Sequence, residues 1–83
     1  MDKSLGYLQE ALSNYIEKYP TCQGVFNKLE QKKYSTEVEF VEDLAEEEIK
    51  VLELILKHEM NHARNEDDQV RTHELNEVYE LLF

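Results

Sequence analysis

From Glu46 to Phe83 the chain contains neither proline nor glycine. A helix begun in that stretch meets no residue that breaks the backbone ladder and none that turns left-handed without cost. Along the whole chain there are only two glycines and one proline in 83 residues. A many-stranded sheet needs tight turns at short intervals, and this chain has few residues to make them. An all-α fold is therefore expected.

The apolar residues agree with a helical period. Leu5, Leu8, Leu12, Tyr15, Ile16 and Tyr19 recur at three- and four-residue steps, which predicts a helix from about Asp2 to Tyr19. Pro20 is expected to stop it, because the residue before proline is pushed out of the α region. Thr21 is then expected to cap a second helix carrying Cys22, Val25, Phe26 and Leu29 on one face. Lys28, Lys32 and Lys33 toward its end complement the helix dipole. Ser35 or Thr36 caps a short third helix with Val38, Phe40, Val41 and Leu44, and Asp43 with Glu46 resembles a further cap opening a much longer one.

The weak point of that last helix is Arg64 to Gln69, where every residue is polar. Helical phase places Ile49, Leu52, Leu56, Met60 and Ala63 on one stripe. Leu75, Val78, Tyr79 and Leu82 form another, rotated by about 90° in a straight helix. The helix either bends around its neighbours or breaks near Asn65. One long helix is the expectation, giving a single domain over 1–83: a small bundle of three shorter helices packed on a long C-terminal one.

The charge limits what such a bundle can bind. Nine basic and nineteen acidic residues give −10, which opposes phosphate backbones and anionic membrane surfaces. Neither nucleic acid nor membrane is expected as a partner. The start, MDKSLGYLQ, has no apolar export segment, and the lone Cys22 has no internal disulfide partner. These features suit a soluble, reducing, cytoplasmic setting. Cys22 lies on the apolar stripe and reads as a buried, inert thiol.

One motif carries a possible chemistry. His58 to His62 read HEMNH, the H-E-x-x-H spacing with which two histidines on a helix chelate zinc while the glutamate polarises a metal-bound water. Asp68, His73 and Glu80 are the candidates for a third ligand. Against this, zinc peptidases hold the motif helix beside a sheet edge, and no strand is expected here. His58 and His62 also lie about 160° and 120° from the centre of the main apolar stripe. No metal, cofactor or catalytic residue is therefore expected.

The segment Ile49 to Leu56 is apolar in nearly every direction, so more than one side needs covering. Either the shorter helices cover it or a second subunit or partner does. Val51, Ile55, Tyr7 and Tyr34 are the expected interaction surface.

The segments LGYLQEALSNYIE (Leu5 to Glu17) and ELNEVYELL (Glu74 to Leu82), with FVEDL (Phe40 to Leu44) and the early Cys22, resemble the sigma-G-dependent sporulation-specific SASP protein family of Bacillus-type spore formers. The resemblance spans nearly the whole chain and rests on general pattern, not on a catalytic signature. It implies expression in the forespore and a place in the spore interior. It supplies no functional residues, and the charge of −10 does not suit the DNA coating performed by other small acid-soluble proteins. The expected function is that of a small acidic, non-enzymatic sporulation protein acting through a protein partner or as a homodimer. A zinc-dependent hydrolase is the alternative.

Overall fold

The computed structural model describes residues 3–83, and among them it contains five α-helices and no strand. They are α1 (Lys3–Leu12), α2 (Pro20–Gln31), α3 (Glu37–Glu42), α4 (Glu46–Asn65) and α5 (Gln69–Leu81). Asp2, the expected start of the first helix, lies outside the described residues.

The first helix is shorter than its apolar spacing predicts. The Ser13 hydroxyl donates to the Glu10 carbonyl at 2.6 Å, taking the acceptor that the Asn14 N–H would use in a continuing helix. Asn14 and Tyr15 bond instead to Ala11 and Leu12, three residues back, and the chain runs on in turns to Lys18. Pro20 is not the stop of α1. It occupies the first turn of α2, after an extended Tyr19 at the N-cap, so Thr21 lies inside the helix and does not cap it. Thr36 does cap α3, its hydroxyl accepting from the Glu39 N–H at 3.3 Å.

The largest departure is at the C-terminal end. The predicted long helix is two helices, folded back at Glu66–Asp68. A continuous helix over 46–81 would measure about 54 Å, whereas the longest dimension of the structure is 31 Å. The turn is a Schellman closure. Asp68 N–H donates to the Ala63 carbonyl at 2.8 Å and Asp67 N–H to Arg64 at 3.0 Å. Glycine usually holds the left-handed position in this motif, but here it is Asp67, at φ 57°. Asp68 then caps α5, accepting from the Arg71 N–H at 3.1 Å.

This fold-back packs α5 against α4, α1 and α3, while α2 packs against α4 and α1. Leu5, Leu8 and Leu12 of α1, Cys22, Val25 and Leu29 of α2, Phe40 of α3, Leu52, Ile55, Leu56 and Met60 of α4, and Leu75 and Val78 of α5 form one buried cluster. Each helix supplies one apolar stripe to it, as a layered helical fold requires.

Candidate functional site

Helix α4 buries Glu48, Leu52, Ile55, Leu56, Glu59, Met60 and Ala63, an arc of about 140° around its axis. Two members of that arc are carboxylates. Glu48 and Glu59 lie three turns apart and within about 20° of one another, at 8% and 5% exposure. Buried charge is costly without a counter-charge or hydrogen bonds. Each glutamate is answered by a basic residue from a different helix.

Glu48 anchors the start of α4. Its Oε1 accepts from the Ala45 N–H at 2.8 Å and from Lys28 Nζ at 2.7 Å. This is the glutamate half of a capping box, since Ala45, not Asp43, occupies the N-cap and has no side-chain acceptor. Lys28 Nζ also donates to the Asp43 carbonyl at 2.6 Å. Asp43 Oδ2 in turn accepts from Lys32 Nζ and from the Tyr34 hydroxyl, both at 2.7 Å. These bonds hold the Asp43 carboxyl below its ordinary pKa, Lys32 contributing most. Burial, and then its bond to Asp43, push Tyr34 well above its ordinary range.

Glu59 faces a second basic residue. Arg71 Nη2 stands 4.0 Å from Glu59 Oε2, and its Nη1 stands 3.8 Å from Glu10 Oε1. Arg71 Nε is buried and has no acceptor among the described residues. The Tyr15 hydroxyl is held above its ordinary pKa by burial first and by the neighbouring Glu59 carboxylate second. Glu10, Asn14, Glu59, His62, Ala63, Glu66 and Arg71 line a polar hollow of about 240 Å³ here.

This geometry splits the H-E-x-x-H motif. Its glutamate turns into the bundle toward Arg71, while both histidines are on the exposed side. His62 Nε2 pairs with Glu66 at 2.8 Å, and the His58 ring stands edge-on to Tyr15 at 6.0 Å. The candidate third ligands are engaged elsewhere: Asp68 caps α5, His73 pairs with Glu77 at 3.2 Å, and Glu80 accepts from Asn76 at 2.7 Å. Among the described residues, no group of three or more His, Cys, Asp or Glu is placed to hold a metal ion.

The expected interaction surface is also divided. Ile55 is 1% exposed and Tyr34 is 9% exposed, so both belong to the core, whereas Val51 and Tyr7 are half-buried. The exposed apolar residue on this side of α4 is Leu54, at 52%. It borders a small hollow lined by Tyr15, Lys18, Tyr19, Ile55 and His58. Sequence periodicity gives no sign of this hollow, because Tyr15 lies on the turns after α1 and Tyr19 at the extended N-cap of α2. Cys22 is fully buried, and burial pushes its thiol up to about 11.

A short, acidic, all-α bundle closed by ion pairs between helices is the class of protein that these features define. A family model described as CsgA, minor curli fiber component A, matches residues 1–83. The sigma-G-dependent sporulation-specific SASP protein of Bacillus subtilis (strain 168) is 50% identical over 82 residues, covering 99% of each chain. The chain belongs to this sporulation-specific SASP protein family. No solved structure matches it.

Proposed function

We propose that the chain is a non-enzymatic sporulation protein, made in the forespore and acting there by contact with another protein. The family supports the setting, since the Bacillus subtilis relative is named as sigma-G-dependent and sporulation-specific. The observation that carries the contact reading is Leu54, a half-exposed leucine beside Tyr15, Tyr19 and His58. Aromatic residues around an apolar anchor are the usual make-up of a protein-binding hot spot. A net charge of −10 favours a partner with basic residues around its own apolar contact.

The hydrolase reading has no comparable support. A zinc peptidase needs the motif glutamate beside the metal-bound water, and Glu59 instead faces Arg71 inside the bundle.

Photo-crosslinking from position 18, which lines the same hollow as Leu54, tests the contact reading in sporulating cells. A specific, basic protein adduct that disappears in a Leu54→Asp variant with unchanged helicity is the expected result. Adducts spread without preference, or unaffected by that substitution, would remove it. Zinc analysis of untagged protein tests the alternative, which requires one bound ion per chain, lost in His58→Ala.

A further inference from the structure

The α4–α5 turn holds a non-glycine residue in the left-handed region, Asp67 at φ 57°. That conformation is unfavourable for an L-residue, although Asp tolerates it better than most. The turn outside the two helices is only three residues, Glu66 to Asp68, and no proline or glycine occurs from Glu46 to Phe83. The same residues can therefore run as one helix. Straightening releases Asp67 from the left-handed region and sets Arg64 and Asp68 at i, i+4 spacing, which favours an ion pair.

Helix α5 cannot leave the bundle alone. Leu75 and Val78 are fully buried, and Arg71 faces Glu59 and Glu10. A second copy of the chain presents an identical seat for each of these contacts. Short hinges under strain invite this kind of exchange.

We propose that Glu66–Asp68 is a hinge through which two copies of this chain exchange α5. In the exchanged dimer α4 and α5 form one helix of about 54 Å, and Arg71 of each chain faces Glu59 of the other. The partner is thus a second copy, and its contribution completes the site around Glu59. This inference does not depend on the Leu54 surface.

Two sets of variants of the full chain test it by size-exclusion chromatography with light scattering, after concentration to the millimolar range. Asp67→Gly relieves the turn and weakens the continuous helix; Asp67→Ala does the reverse. With two hinges per dimer, the dimer dissociation constant should be at least about a hundredfold lower for Asp67→Ala than for Asp67→Gly. The second set pairs Glu59→Arg with Arg71→Glu in separate chains. Each chain alone places like charges together, but a mixture exchanging α5 restores both pairs. The mixture should yield a heterodimer, detected by mass, that neither variant forms alone. Should either chain fail to fold alone, the Asp67 series decides. Monomers throughout the Asp67 series, or dimers of equal affinity in both Asp67 variants, would overturn the proposal.

Discussion

Arg71 and Glu59 should not be equally costly to lose. The Glu59 side chain is 7% exposed and that of Arg71 is 22% exposed. Removing Arg71 leaves a carboxylate deep between helices with no other salt-bridge partner among the described residues. Stranding one member of a buried pair costs about 3–5 kcal/mol. The 4.0 Å separation argues for the low end, so Arg71→Ala should destabilise by about 3 kcal/mol. Removing Glu59 leaves Arg71 beside Glu10, at 3.8 Å and partly in water. Glu59→Ala should therefore cost about 1–1.5 kcal/mol, mostly lost packing and a weakened pair. For a domain of this size the two losses correspond to falls in Tm of roughly 12–24 °C and 4–12 °C. Urea unfolding followed by circular dichroism measures both. Adding Glu59→Gln to Arg71→Ala should recover about 1–2 kcal/mol, because it removes the stranded charge and keeps its shape. If Glu59→Ala proves as damaging as Arg71→Ala, or the double variant recovers nothing, the account of this site is wrong.

Other consequences follow from single positions. Gly6 has open space where a Cβ would stand, so Gly6→Ala should raise stability by about 0.5–1 kcal/mol, whereas a Cβ at Gly24 would lie 3.3 Å from Glu48 Oε2, and Gly24→Ala should give no such gain on thermal melting. Above pH 9 the fold should weaken, because Cys22 moves from 9.0 to about 11 on folding and Tyr34 is also raised, so the unfolded chain loses these protons first. Cys22→Ala should flatten the pH dependence of stability between pH 9 and about 11, and an unchanged slope would contradict the assignment. At the acid end Asp43 is depressed, so its contribution is present above pH 3.8 and fades as pH falls through its lower folded value; Asp43→Asn should remove that acid-side slope. The native Cys22 thiol should resist alkylation until denaturant is added, since it is fully buried.

Helix content and the inward faces were readable along the chain. The spacing of Leu5, Leu8 and Leu12, of Cys22, Val25 and Leu29, and of Leu52, Leu56, Met60 and Ala63 reports local period, and all of these residues are buried. A cap at Ser35 or Thr36 was readable because such a hydroxyl acts within its own first turn, and the structure places it at Thr36. The end of α1 was not, because one Ser13 hydroxyl bond to Glu10 diverts the ladder while the apolar spacing continues past it.

What the chain determines by itself is its class. Scarce turn residues, helical periodicity and an acidic balance are properties of neighbouring residues, and they hold in any packing. Which helix meets which depends on the tertiary structure. Asp67 takes a left-handed turn usually given to glycine, and only packing of Leu75 and Val78 against the other helices makes that turn worth its strain. The same fold-back brings Arg71 to Glu59, so that the glutamate of a metal-like motif becomes an internal counter-ion. Residues twelve apart in sequence meet there because the chain reverses between them; the polar run Arg64 to Gln69 marks a weak point in the helix, but the fold-back and its direction come from packing.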